Sequence, residues 1–229
     1  MRPSRSLFLR PGDVEAGLAP PWYCYPGPAD GDSWERLRDA GLGFAVANVA
    51  DGPGAVVDEN YAHALRPGST TPFLGYVPIG YGRRRPLEVR ADAAAWAALY
   101  GLTGIFLDEV PATRRHRRWD LSVIDQLRAD GFDTVVVNPG VAPVGGEIIG
   151  TADVTCVFEG SWVDYTARRH PDWLGAFPAA RQWHLVHSVP ASEPLDIADR
   201  ARRWGAGYSW ATRGRPPHPW GQGWEGRLR

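Results

Sequence analysis

The chain of 229 residues contains no lysine, two cysteines and one methionine, and no apolar run that approaches the roughly 20 residues a membrane span needs. Each shortage removes a class of function. Phosphoryl transfer finds no glycine-rich cradle with its lysine. Cys24 and Cys156 fall in separate apolar segments with no paired histidines nearby, which excludes a zinc site and predicts reduced, mostly buried thiols. The formal charge of -1 offers nucleic acid or an anionic membrane no global attraction. Every basic residue is arginine, which a coding bias toward GC-rich codons explains, so no single arginine carries functional weight on that ground. Met1 to Pro20 holds arginines but no secretory core, since Leu7, Phe8 and Leu9 stand alone between charged residues and Pro or Gly. The chain as given reads as cytoplasmic, or as secreted if a leader lies outside it.

What is present is ordinary in bulk: 44% hydrophobic and 22% charged residues, enough to bury a sizeable core. The aromatics are less ordinary. Eleven tryptophans and eight tyrosines supply core material, and at strand ends such rings also serve as platforms for sugars.

Short apolar segments alternate with helix-period segments along the chain. Pro21-Trp22-Tyr23-Cys24-Tyr25-Pro26 reads as a first strand, followed by a helix over Trp34 to Ala40 with Ser33 as cap and Gly41 as stop. Residues 43–49, 72–77, 104–109, 134–138, 154–159, 182–187 and 207–211 read as seven more strands. Helices are expected at about 58–65, 87–100, 120–128 and 195–204, with a loop and short helix over 162–177. The strands are apolar on both faces, as parallel strands covered by helices require. Eight strands with intervening helices predict a (β/α)8 TIM barrel in one compact domain over residues 20–212. Residues 1–19 form an irregular opening, and 213–229 a Gly/Pro/Arg-rich tail that wraps the surface or lacks fixed structure. An open doubly wound sheet is the alternative, but Pro26-Gly27-Pro28 has the wrong spacing for a dinucleotide turn.

In a barrel the strand ends meet at one mouth. Here they are Tyr25, Asn48, Tyr76, Asp108, Glu109, Asn138, Glu159, His187 and Trp210. Metal chemistry is disfavoured because His184 and His187 are three apart on a strand and face opposite sides, one toward the mouth and one into the wall. A serine hydrolase is also disfavoured, since Gly160-Ser161-Trp162 lacks the flanks of a nucleophile elbow. Paired carboxylates among aromatics and amides suit glycoside hydrolysis, in which one acid holds a proton and another stays ionised. Asp108 and Glu109 are adjacent, so a regular pleat would turn them to opposite faces; both reach the mouth only if the strand ends by Glu109.

The motifs Tyr23-Cys24-Tyr25-Pro26, Gly52-Pro53-Gly54 with Asn60-Tyr61, Gly75-Tyr76-Val77 with Tyr81-Gly82, Gly104 to Glu109, Val137-Asn138-Pro139-Gly140, and Ala152-Asp153 through Val157-Phe158-Glu159 occur in this order over about residues 20 to 190. In this the chain resembles the spherulin-4 family, which includes the Sph3-type glycoside hydrolases. The resemblance implies a (β/α)8 enzyme that cleaves galactosamine-containing polysaccharide internally, like an endo-alpha-1,4-N-acetylgalactosaminidase, with Asp108, Glu109 and Glu159 at the family's essential acidic positions. The sequence departs from the family pattern at Ala50, where a second asparagine is usual, at Pro78, where histidine is common, and at Thr212-Arg213-Gly214, where Thr-Asp-Asp is expected.

The expectation is therefore a glycoside hydrolase without metal or organic cofactor. Glu159 and one of Asp108 or Glu109 form the working pair and the third acid tunes it. Tyr25, Asn48, Tyr76, Tyr81, Asn138, Trp162 and Trp210 are the candidate sugar contacts. The expected partner is a polysaccharide or oligosaccharide, with no nucleic acid and no membrane span, on a monomer. The competing reading is a non-catalytic carbohydrate-binding protein on the same barrel.

Overall fold

In the computed structural model, residues 17–221 are described apart from 29, 114–116 and 168, together with Trp224; the side chains of 117–120 are not described. Of the irregular opening expected over 1–19, residues 1–16 lie outside the described residues, as do the last five residues, while Gly17–Leu18 form a strand.

Among the described residues, nine parallel strands form one sheet: β1 (Gly17–Leu18), β2 (Pro21–Trp22), β3 (Ala45–Ala47), β4 (Phe73–Pro78), β5 (Gly104–Asp108), β6 (Thr134–Val137), β7 (Val154–Ser161), β8 (Gln182–His187) and β9 (Tyr208–Ala211). The order is β1-β9-β8-β7-β6-β5-β4-β3-β2. The two short strands are halves of a single barrel stave. β1 bonds β9, with Gly17 N donating to Gly207 O at 2.7 Å, and β2 lies beside β3, with Val46 N donating to Pro20 O at 2.9 Å. Pro20 and Pro21 break the ladder between them, because neither offers an amide hydrogen. Counted this way the sheet is an eight-staved barrel, as the alternation of segments predicts. The first stave differs from expectation in position: it ends at Trp22, not at Pro26.

Among the described residues, seven α-helices run between the strands: α1 (Gly31–Asp39), α2 (Glu59–Ala64), α3 (Pro86–Tyr100), α4 (Arg117–Ala129), α5 (Glu147–Thr151), α6 (Trp162–Ala167) and α7 (Ala198–Arg203). Their ends follow local chemistry. Asp58 caps α2 by accepting from the amides of Asn60 and Tyr61, and α3 starts on Pro86 and stops at Gly101, which is left-handed (φ 70°). Ser33, expected as a cap, lies inside α1, which begins at Gly31. Gly75 shows how closely the layers pack: a β-carbon there would come within 2.4 Å of the Trp96 indole on α3.

The barrel interior is aromatic. Phe106 and Phe44 meet the Trp183 ring at 5.7 and 5.0 Å, and Trp22 and Trp210 are packed edge-on. Neither Cys24 nor Cys156 forms a disulfide, and Cys156 is buried. No helix among the described residues is long and apolar enough to cross a membrane. The tail departs from the expected surface wrap. Trp220 and Trp224 are buried in the main core, Trp224 lying 5.0 Å from Trp22 and donating its indole N–H to Ser33 O at 2.9 Å.

Candidate active site

Two backbone irregularities aim the acids. On β5 the alternation that points Phe106 inward also points Asp108 inward, and the strand ends there. Glu109 then adopts a left-handed conformation (φ 56°), uncommon for a non-glycine residue, which breaks the pleat that would otherwise turn it fully away. β7 reaches the same result by a bulge. Cys156 pairs with Trp183 and Phe158 with His184, so Val157 is an extra residue and the inward phase shifts by one. Phe158 consequently packs outside the barrel against Tyr165, and Glu159, paired with inward-facing Leu185, enters the mouth. Strict alternation from Cys156 would have sent Glu159 to the outer face.

The two acids share one donor. Asn138, just past β6, gives its side-chain N–H groups to Asp108 Oδ1 at 2.9 Å and to Glu159 Oε2 at 2.6 Å. Its own oxygen accepts from Gly140 N at 2.8 Å, which fixes the amide with its nitrogen toward the acids. Tyr76 donates to Asp108 Oδ2 at 2.9 Å, and Trp220 donates to Glu159 Oε1 at 3.3 Å. All four carboxylate oxygens thus accept a hydrogen bond. Neither acid has a cationic partner among the described residues.

Burial pushes both acids above the usual carboxylate range. For Asp108 the Glu109 amide, Tyr76 and Asn138 pull back by hydrogen bonding, while the Glu109 charge pushes up. For Glu159 the Asn138 bond opposes burial, the Asp108 charge adds to it, and the Trp220 bond opposes both. Asp108, with three donors, is the better-stabilised anion, and its charge raises Glu159. The surrounding groups respond to these charges. The Tyr23 phenol is held well above its ordinary value by burial and then by the Asp108 charge, and Tyr76 is raised by burial and by Asp108.

The acids lie in a cleft of about 490 Å³. Tyr23, Asn48, Asp51, Tyr76 and His187 line it from the barrel side, and Pro216 to Gly221 form the opposing wall. Of the residues singled out in the sequence, Asp108, Glu159, Tyr76, Asn48 and Asn138 come together here. Asn48 has its side-chain oxygen committed to Gly52 N at 3.0 Å. Glu109 sits at the rim, where its charge helps to raise Tyr81 after burial does. Tyr25 and Tyr81, 50% and 55% exposed, also stand on the rim outside the cleft. The Tyr25 hydroxyl donates to Asp58 Oδ2 at 3.1 Å and accepts from Asn60 Nδ2 at 2.7 Å.

Trp162 and Trp210 do not line the cleft. β7 continues to Ser161, so Trp162 opens α6 and packs on the outer cluster beneath the Arg200 guanidinium. Trp210 is in the barrel interior, covered by Trp224 of the tail. His187 faces the cleft and burial lowers its pKa; His184 is in the wall, 3.1 Å from the Tyr165 hydroxyl. Among the described residues no three His, Cys, Asp or Glu side chains converge as a metal ion would require.

Tyr23, Asp51 and the tail were not legible as site residues. Reading the first strand three or four residues too far placed Tyr25 at its end, where Tyr23 belongs. Asp51 carried a signal as part of the Ala50 to Gly54 turn; it is left-handed (φ 48°). The tail has no periodicity to announce a role, although two tryptophans among glycines and prolines are a weak sign of burial.

A single-domain (β/α)8 barrel whose mouth holds two hydrogen-bonded carboxylates among tyrosines, amides and histidine is the class of protein defined by this fold and site. More particularly, the chain belongs to the Spherulin4 family, spherulation-specific family 4, whose model matches residues 18–227. Among solved structures it is similar to Aspergillus clavatus Sph3 in complex with GalNAc, with a TM-score of 0.76 and 26% identity over 91% of this chain and 92% of that one. It is also similar to QR15, an aldolase, with a TM-score of 0.53 and 12% identity over 88% and 92% of the two chains, a likeness that concerns the fold alone. No match was found among curated proteins.

Proposed function

We propose that this protein is a glycoside hydrolase that cleaves internal bonds of a polysaccharide containing N-acetylgalactosamine or galactosamine, with retention of anomeric configuration. The observation that carries the reading is the Asn138 amide shared between Asp108 and Glu159. Its two bonds, 2.9 and 2.6 Å, laid end to end limit the gap between the bridged oxygens. Two carboxylates that one amide bridges are closely spaced, as direct attack by one of them requires. Similarity to a protein solved with GalNAc supports the sugar class.

In this mechanism Glu159 gives its proton to the glycosidic oxygen as the C–O bond breaks, and Asp108 attacks the anomeric carbon to form a glycosyl ester. Water, deprotonated by the now ionised Glu159, then displaces Asp108 and releases the sugar. Glu109 tunes Asp108 by its charge. The Tyr23 hydroxyl, which has no protein partner among the described residues, and Asn48 bind hydroxyl groups in the cleft. Tyr25 and Tyr81 offer faces to sugars beyond it, as an internal cut requires.

The test is release of reducing ends from a galactosamine-containing polymer, with NMR of the first-formed anomer. Asp108→Asn and Glu159→Gln should each lower kcat by at least about 10²–10⁴ while remaining folded. An inverted product would overturn the assignment of Asp108 as nucleophile. Binding of the polymer without any release of ends would make this a carbohydrate-binding protein.

A further inference from the structure

Among the described residues, the C-terminal segment reaches the acids through the Trp220 indole. Trp220 donates its indole N–H to Glu159 Oε1 at 3.3 Å, and Pro216 to Gly221 form a wall of the cleft. The segment is anchored to the residues that follow β8. Ser188 N donates to Gly214 O at 2.8 Å, Val189 N to Thr212 O at 3.0 Å, and Gly214 N to Thr212 Oγ1 at 3.0 Å. The Arg213 guanidinium donates to the carbonyls of Pro190 and Glu193, clamping the segment to the loop after β8. Trp220 itself is almost fully buried and meets the His187 ring edge at 6.3 Å. An indole so confined has little freedom to choose another acceptor.

We propose that Trp220 is a positioning residue for Glu159: its N–H keeps Oε1 turned into the cleft and favours the ionised carboxylate, so the tail belongs to the active site. The role within the reaction rests on the glycosidase reading above; the contact itself does not. Oε2 is held tightly by Asn138, and Oε1 carries the longer bond. A proton delivered to a leaving group therefore sits on Oε1, on the lone pair that the indole leaves open. Once that proton is gone, the indole N–H stabilises the resulting charge. Other groups also bear on Glu159. Asp108 on β5, Cys156 on its own strand, Tyr23 after β2, Tyr81 after β4, His187 on β8 and His218 of the tail all face or sense it.

The experiment is an NMR titration of the full chain carrying ¹³C-carboxyl glutamate and ¹⁵N-indole tryptophan, with Glu159→Gln assigning the Glu159 signal. In Trp220→Phe, which keeps a ring and removes the donor, the Glu159 midpoint should rise by about half to one pH unit. On the kinetic side the basic limb of the kcat/KM profile should move up with it, and kcat should fall about three- to tenfold. If Trp220→Phe fails to fold, the wild-type chain still decides: the Trp220 indole resonance should titrate with Glu159, and Glu159→Gln should abolish that titration. An indole signal indifferent to Glu159, or an unmoved midpoint in Trp220→Phe, overturns the proposal. Coupled titration in a protein that releases no reducing ends would sink the glycosidase reading and leave the contact standing.

Discussion

Asn138 holds two buried carboxylates with one nitrogen, and that economy makes it vulnerable. Both bonds are to acids with no cationic partner among the described residues, so removing the amide leaves two neighbouring charges with fewer donors. Asn138→Ala should raise both acids further and lower kcat about 10- to 100-fold, and its pH profile should shift upward on both limbs. Glu109→Gln makes a different prediction. It removes a negative charge that pushes Asp108 up, so the acidic limb of kcat/KM should move to lower pH, with a smaller loss of rate than Asp108→Asn shows. A shift in the opposite direction would mean that Glu109 does not act on Asp108 through its charge.

At the scale of elements, the site depends on where strands stop and where they slip. β4, β5, β6 and β8 were legible because their apolar runs end in the residues that reach the mouth, and a parallel strand buried on both faces leaves few other readings. The β7 bulge was not legible. Cys156, Val157 and Phe158 are all apolar, so nothing in the sequence says which is the extra residue, and Glu159 reached the mouth in the sequence reading without the slip that puts it there. The first stave was misplaced for a related reason: aromatics continue through Tyr25, although pairing ends at Trp22. The sheet and its helices are also tightly coupled. Gly75→Ala would drive a methyl group into Trp96, whose indole N–H holds Tyr76 O at 2.8 Å on the strand that delivers Tyr76 to Asp108. Overpacking of about 1–3 kcal/mol should lower the melting temperature by about 2–10 °C, measured by calorimetry.

For the whole molecule, the acid pair is a cost to stability. Both acids have folded-state pKa values above their unfolded ones, so the native state binds more protons than the unfolded chain between those values. Their contribution is most favourable below the unfolded carboxylate pKa and is lost as pH rises through the raised folded values. The double variant Asp108→Asn/Glu159→Gln should therefore melt higher than wild type at pH 7 and above, with the difference closing as pH falls toward 4. Equal melting temperatures across that range would mean that the acids are not destabilised by burial.

The barrel's seam also sets the order of events during synthesis. β1 is made before the other strands of the sheet, yet its partner is β9, and Gly17 bonds Gly207. Trp224 bonds Ser33 across 191 residues. A nascent chain leaving the ribosome therefore carries an unpaired strand edge until β9 has emerged, the exposure on which premature association feeds. The same order delays chemistry: Trp220 is made after the barrel groups of the cleft, so Glu159 gains its indole donor only once residue 220 has emerged.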